Sequence, residues 1–347
     1  MKRCIIFLFL ILQLCYPVNA TEFQAPTAPE PAQKYMPENT DSFSDGLWYI
    51  IKEAMSQFMP NLKDASKICV SLIAVMLLIS VISVYAGTTS GVVNLVSILT
   101  VSSLLLSSAN TFIKLGISTV KTLSDYSKLL LPVMATATAA QGGMSSSAAL
   151  FSGTTLFISI LTTAISKLVV PLIYIFICLT IANCSVSSDI LKNLHSFVKW
   201  LATWIMKLSV YIFTGYMSIT GVVCGTVDSS ALKATKLAMS GVVPVVGNVI
   251  SDATESVLVG AGVMKNAAGV YGILATLSIL TGPFLRVGAQ YILLKITTGI
   301  CSMFGTKEYI GALQGFCTAL GFVLAMIGTV SIMLLIGTVC FMKGVFT

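Results

Sequence analysis

The sequence predicts an all-α, polytopic integral membrane protein with seven or eight transmembrane helices, and two observations support this. Apolar residues make up 56% of the 347 residues, and only 10% are Asp, Glu, Lys or Arg, against about a quarter in an ordinary soluble domain. Mean hydropathy is +0.94. Apolar runs of about 20 residues, enough for one helical crossing of a bilayer, also recur along the chain. Most of the surface must therefore face lipid.

Residues 1–20 have the three features of a secretory signal peptide. Lys2 and Arg3 precede an apolar run, and residues 18–20 form a small-residue cleavage pattern. We therefore expect the mature chain to begin outside the cytoplasm. Residues 21–44 are acidic and rich in proline, which predicts an extended exported tether without a core of its own.

Residues 45–60 predict an amphipathic helix that ends at Pro60. Apolar residues recur at helical spacing between Leu47 and Phe58, and the neighbouring Trp48 is an aromatic residue typical of a membrane interface. Two placements remain open. Such a helix lies on the membrane surface, or it packs against the protein's own helices.

Apolar runs between residues 65 and 345 predict the multi-spanning domain. The candidate spans are Ile68–Gly87, Gly91–Ile113, Ser147–Ile165, Leu168–Val186, Leu208–Val227, Ala267–Leu285, Gly288–Phe304 and a last one within Ala319–Met342. Only the seventh carries a central charge, Lys295. The lysines and arginines between the spans obey the positive-inside rule better if one of the first two runs does not cross. Counts of seven and eight therefore both remain open.

The sequence also contains a weak internal repeat, with halves at residues 132–227 and 244–342. Small residues of the first half recur 120 positions later, as in Gly142 and Gly262. Because three crossings separate the copies, they would have opposite orientations, as in the inverted repeats of many transporters. Chance similarity in a chain rich in glycine and alanine is the alternative.

Two polar stretches in these halves are the candidate functional sites. Their candidate residues are Gln141, Gly142 and Gly143 in the first stretch and Asp252, Glu255 and Lys265 in the second. Polar breaks in membrane helices can line a pathway through the bilayer; the alternative is that both stretches are loops between spans. If Glu255 lines a pathway, Glu255→Ala should abolish function without lowering the protein level.

The sequence favours no catalytic, cofactor-binding or metal-binding site. A single histidine, His195, excludes a zinc site built on two histidines, and the chain has no P-loop. The nine cysteines lie in the leader or in and beside apolar runs, as small buried hydrophobic residues do. No basic cluster is interleaved with aromatic residues, as nucleic-acid binding would need. We therefore expect a non-enzymatic protein whose surroundings are the lipid bilayer.

Three stretches carry a resemblance to a known family. They read LLLPVMATATAAQGGMSSSAAL at residues 129–150, SDATESVLVGAGVMKNAAGVYG at 251–272 and GPFLRVGAQYILLKITTGIC at 282–301. These stretches closely resemble the stage III sporulation protein AE family of endospore-forming bacteria. The likeness runs from about residue 65 to the end of the chain.

The resemblance implies a place and partners but no catalytic residues. It implies a multi-pass protein of the mother-cell membrane that surrounds the forespore. There it would join the other stage III sporulation proteins, AA to AH, and the forespore's stage II sporulation protein Q in a channel, or feeding tube, that supports late forespore gene expression. A homo-oligomer is a further expectation. A stand-alone solute permease with inverted repeats is the alternative function.

Overall fold

The computed structural model describes the backbone of residues 26–37, 42–85, 90–186, 188–242 and 247–343, and no side chains at 83–84, 90 or 221–258. This part of the chain contains helices and no strands, which confirms the predicted all-α class. The predicted signal peptide, residues 1–20, lies outside the described residues. The helices are α1 (Glu30–Gln33), α2 (Phe43–Tyr85), α3 (Ser90–Ala140), α4 (Met144–Ala164), α5 (Val170–Val186), α6 (Asp189–Val242), α7 (Gly247–Cys301) and α8 (Lys307–Lys343).

The structure does not confirm a count of seven or eight spans. In the described part of the chain, 5 helical segments are long and apolar enough to cross a membrane, namely Phe43–Ile82, Gly91–Ala140, Met144–Val186, Val259–Cys301 and Lys307–Lys343. At about 1.5 Å per residue, each is roughly twice as long as the hydrocarbon core of about 30 Å. Two pairs of predicted spans each lie on one continuous helical segment. The eight predicted spans therefore outnumber the 5 long apolar helical segments of the described chain.

A π-helical turn explains why the third and fourth predicted spans are one segment. Ile165–Val169 forms this turn between α4 and α5, just before Pro171. Proline has no N–H to donate to the preceding turn of an α-helix, and a wider turn can absorb that mismatch without ending the helix. Similarly, α7 continues through Pro283 and joins the sixth and seventh predicted spans.

The predicted amphipathic segment 45–60 is part of α2, and the prediction that it ends at Pro60 is wrong. Packing on α7 holds this part of α2. A Cβ added at Gly46 would lie 2.6 Å from the Leu274 side chain, and Ile50 is buried. These contacts favour packing against the protein's own helices, although Trp48 on the same segment is exposed.

The described part of the predicted tether, residues 26–37, is not an extended chain without packing. The Ala28 backbone N–H donates to the Tyr271 hydroxyl at 3.2 Å, and the Ser278 hydroxyl lies 2.8 Å from the Leu274 carbonyl and 3.2 Å from the Tyr35 carbonyl. Both partners lie on α7. Ala28, Ala32 and Tyr35 are buried, so small apolar side chains attach this proline-rich segment to the helical body.

Helix α8 is the centre of the bundle, because it packs against α3, α4, α5, α6 and α7. At one end of the bundle, Ile98 of α3, Cys184 of α5 and Ala312 of α8 form a small buried cluster. Far along α3 from that cluster, Gln141 contacts α7 beside Gly262. The first predicted polar stretch and the turn between α7 and α8 therefore lie at different levels of the bundle.

Candidate functional site

The first predicted polar stretch coincides with the junction between α3 and α4. The Gly143 N–H donates to the Thr138 carbonyl at 3.1 Å, and the Gly142 N–H donates to the Ala139 carbonyl at 2.9 Å. These two bonds form the Schellman motif that closes many helices. Gly142 has φ 87°, in the left-handed region where glycine carries no steric penalty. The Gln-Gly-Gly sequence therefore ends α3 by a defined backbone mechanism.

Polar side chains are buried around this junction. Thr138, Gln141 and Ser147 are all buried, as is Ser146. The Ser147 hydroxyl donates to the Ala135 carbonyl at 2.6 Å and so fixes the start of α4 against the end of α3. Among the described residues, the Gln141 Oε1 atom has no hydrogen-bond partner. A buried carbonyl oxygen without a partner is destabilising by about 1–3 kcal/mol, which makes Gln141 a group able to receive a donor.

The junction meets α7 at a glycine. A Cβ added at Gly262 would lie 2.6 Å from Gln141 Nε2, so the glycine leaves the space that the amide occupies. Lys265 follows one helical turn along α7 and is only 3% exposed. Residues three apart on a helix share a face. The structure therefore brings two predicted site residues, Gln141 and Lys265, to the same level of the bundle.

The second predicted stretch differs from the first in backbone conformation. Residues 247–266 are helical, so the prediction of a break or loop there is wrong for the described residues. The side chains of Asp252 and Glu255 lie outside the described residues, and the hypothesis on Glu255 stays a prediction. Gly262 is helical where its repeat counterpart Gly142 is left-handed. The proposed repeat is therefore not reproduced at this point.

Two residues of this site, Ser147 and Gly262, were not among the predicted site residues. Ser147 belongs to a run of three serines just after the glycines, a signal that the sequence offered. Gly262 acquires its role only because α7 lies against the α3–α4 junction. The site thus comprises an amide, hydroxyls and a buried ammonium group. Such groups can bind or orient a polar partner.

The chain's one histidine contacts a threonine hydroxyl that also bonds to its own helix. His195 Nε2 lies 3.0 Å from the Thr180 hydroxyl oxygen, but that hydroxyl donates to the Phe176 carbonyl at 2.8 Å. The Thr180 hydroxyl proton therefore has a carbonyl acceptor within its own helix as well as the imidazole. In the part of the chain that the structure describes, no group of three or more His, Cys, Asp or Glu residues could hold a metal ion.

Comparison with known proteins identifies the family. The chain matches the family described as Stage III sporulation protein AE over residues 33–344. Stage III sporulation protein AE of Bacillus subtilis (strain 168) is 24% identical to it over 233 residues, an alignment that covers 66% of this chain and 58% of that relative. No solved structure matches. Because the family match covers nearly all of the described helices, the chain belongs to the stage III sporulation protein AE family.

Proposed function

We propose that this protein is a non-enzymatic membrane subunit of a channel that links the mother cell and the forespore. Membership of the family supports a role in sporulation. The observation that carries the proposal is the extent of that match, residues 33–344, which covers the long helices α2 to α8 almost completely. The other stage III sporulation proteins, AA to AH, and stage II sporulation protein Q are the proposed partners. The mother-cell membrane around the forespore is the proposed location.

The exposed surface of the helices supports the proposal that this protein lies in lipid. Large apolar side chains are exposed along one helix after another, as at Val70, Leu77 and Leu78 of α2 and at Leu156 and Ile160 of α4. Soluble monomers rarely expose contiguous apolar surface of this extent. Lipid, or the helices of partner subunits in lipid, would cover these faces.

The proposed partners are tested by co-purification from sporulating cells. A tagged form of this chain, extracted in mild detergent, should retain other stage III sporulation proteins. A tagged unrelated multi-pass protein of the same membrane is the control. Recovery of this chain alone, in the stage of sporulation when the other stage III proteins are present, would contradict the assembly.

The α3–α4 junction is the part of the molecule that we propose to act in this assembly. Lys265→Gln removes the buried charge, and Gln141→Leu removes the buried amide. Each variant should lower the yield of heat-resistant spores at least about tenfold while the protein stays at its normal level, since each removes a buried polar group whose interaction with a partner would be worth about 1–3 kcal/mol. Lys121→Gln, which changes an exposed lysine of α3, is the matched control and should sporulate normally.

A stand-alone solute permease is the rival function. It was suggested by the internal repeat, and the different conformations of Gly142 and Gly262 remove part of that support. Reconstitution into liposomes separates the two functions. Specific uptake of a solute by the purified chain alone would overturn the subunit proposal.

A further inference from the structure

A polar groove opens between the end of α7 and the beginning of α8. Its volume is about 510 Å³, and its polar lining consists of Tyr291, Lys295, Thr298, Ser302, Gln314 and Thr318. Ser302 belongs to the turn at 302–306 that joins the two helices, and the other residues lie on either side of that turn. The groove is therefore near the polar end of this helix pair, at a different level from the α3–α4 junction.

Lys295 is the cation of the groove. Its ammonium nitrogen lies 5.7 Å from the centre of the Tyr291 ring. The ion pairs found in the described part of the chain, Lys67 with Asp64 and Lys128 with Asp125, do not involve Lys295. An ammonium group on an apolar helix marks a binding or transport site more often than a packing role. This one can take an anion.

The hydroxyl groups of the groove would act mainly as hydrogen-bond acceptors toward a ligand. Thr298 donates its hydroxyl proton to the Leu294 carbonyl at 2.7 Å, and Thr318 donates to the Gln314 carbonyl at 2.9 Å. A hydroxyl that donates to its own helix keeps its oxygen lone pairs for another donor. The N–H donors of the groove come from the Lys295 ammonium and the Gln314 amide. The lining thus fits an anion that carries hydroxyl groups of its own.

The surface beside the groove is apolar. Ile292, Ile296 and Ile300 of α7 are exposed along the same stretch of helix as Lys295. Lys295 lies six residues before the end of α7 at Cys301, about 9 Å along the helix axis. A lysine side chain at that distance can extend its charge toward the headgroup layer while its stem stays in apolar surroundings. Acyl chains would contact the isoleucines.

We propose that this groove binds an anionic phospholipid with a hydroxylated headgroup, of the phosphatidylglycerol type. The phosphate oxygens accept hydrogen bonds from Lys295 and Gln314, and the glycerol hydroxyls donate to Thr298 and Thr318. Basic pockets between membrane helices bind anionic headgroups by the same chemistry, and charge-assisted hydrogen bonds to phosphate are among the strongest in proteins. A choline headgroup brings a cation toward Lys295 and has no hydroxyl to donate.

The test uses the full-length chain, purified in a nonionic detergent and depleted of lipid. Phosphatidylglycerol and phosphatidylcholine with identical acyl chains are added separately, and bound lipid is counted by native mass spectrometry alongside the melting temperature. Phosphatidylglycerol should bind and raise the melting temperature. Lys295→Gln should weaken its binding at least about tenfold, the effect of losing one charge-assisted hydrogen bond. Lys295→Arg should bind within a few-fold of the wild type.

Matched variants and a soluble competitor complete the test. Lys121→Gln removes an exposed lysine of α3 that does not line the groove, and it should bind phosphatidylglycerol as the wild type does. Equal binding by Lys295→Gln and the wild type, or equal binding of the two lipids, would overturn the proposal. Saturation by glycerol 3-phosphate at the concentrations at which the lipid saturates would also overturn it, because the ligand would then be a soluble phosphate.

Discussion

Helices α2 and α8 are similarly apolar, but α2 is mostly exposed whereas α8 is mostly buried. In the most apolar 18 residues of each, 22% of α2 is buried and 61% of α8 is buried. Helix α2 packs on α7 and makes a smaller contact with α3, whereas α8 packs against most of the other helices. Hydropathy therefore selects the helices that need an apolar environment. Hydropathy does not show which of these helices lies at the centre of the bundle.

Small residues explain the central position of α8. Gly311 and Gly315, four residues apart, face Cys184 and Thr180 of α5. In lipid, helices gain little from the hydrophobic effect between them, and close backbone approach at small residues promotes their association. Helix α2 has Gly46 as its only glycine, at its beginning. Most of its length therefore presents large apolar side chains to the surroundings.

The largest effect is expected when one leucine in each helix is replaced by alanine. Leu334 of α8 is fully buried, whereas Leu78 of α2 is 64% exposed. Leu334→Ala should lower the free energy of unfolding by about 2–5 kcal/mol, because it leaves a cavity in the core. Leu78→Ala should change it by less than about 0.5 kcal/mol. Denaturant titration in detergent micelles measures both, and equal losses would contradict the contrast between the helices.

A smaller effect is expected from crowding the glycine contact of α8. A Cβ added at Gly315 would collide with the Thr180 side chain, while one added at Gly328 of the same helix meets nothing within 4 Å. Gly315→Ala should therefore destabilise the fold by about 1–3 kcal/mol.

The matched control is Gly328→Ala, which should be neutral or stabilise the helix by up to about 1 kcal/mol. The measurement compares the melting temperatures of the two variants and the wild type in detergent. If Gly315→Ala melts at or above the wild-type temperature, the packing of α8 against α5 does not depend on close approach at this glycine.

A hydrogen bond connects the two helices directly. The hydroxyl of Tyr309, at the beginning of α8, donates to the Leu72 carbonyl of α2 at 2.7 Å. Tyr309→Phe removes this bond and should lower the free energy of unfolding by about 0.5–1.5 kcal/mol. Hydrogen exchange should rise in α2 around Leu72. Tyr85→Phe, on an exposed side chain of α2, is the control, and an equal effect of both variants would exclude a specific role for the Tyr309 bond.

The smallest expected effect is a response to pH near α8 that α2 lacks. His195 stacks on Phe176 with ring centres 4.3 Å apart, and Phe176 packs edge-on against Phe322 of α8. Burial, together with the positive charge of Lys199, lowers the pKa of His195 below its ordinary value of 6.5. The unfolded chain therefore binds this proton more readily than the folded chain, so stability is complete above pH 6.5 and decreases as the pH falls below it.

The measurement is the melting temperature in detergent at pH 7.5 and pH 5.5. His195→Gln should reduce the difference between the two values, because it removes the group that must take up a proton. Acidification should increase hydrogen exchange around Phe176 and Phe322 before it affects the middle of α2. An unchanged pH response in His195→Gln would show that another group is responsible.

The sequence predicted the candidate site in part. The two glycines after Gln141 marked the end of α3, because a left-handed residue is nearly always glycine and closes a helix by local hydrogen bonds. The predicted spans were separated at residues 166–167, which include Lys167, and at 286–287, which include Arg286, but the helical segments continue through both positions. Both charged residues are exposed on the helix surface, and a proline in a membrane helix can be accommodated by local changes of the turn. The local sequence therefore predicted more interruptions of the helices than the structure contains.

The sequence by itself determined that this protein is α-helical, multi-spanning and similar to the stage III sporulation protein AE family. Composition and long apolar runs suffice for the first two, because the requirement to satisfy backbone hydrogen bonds in lipid leaves helices as the simplest solution. Only the tertiary structure decided that α8 is central and that Gln141 lies against Gly262, near Lys265. Such contacts join residues far apart in the chain, and they depend on which helices have small side chains where they cross, a property of pairs of helices that no single segment carries.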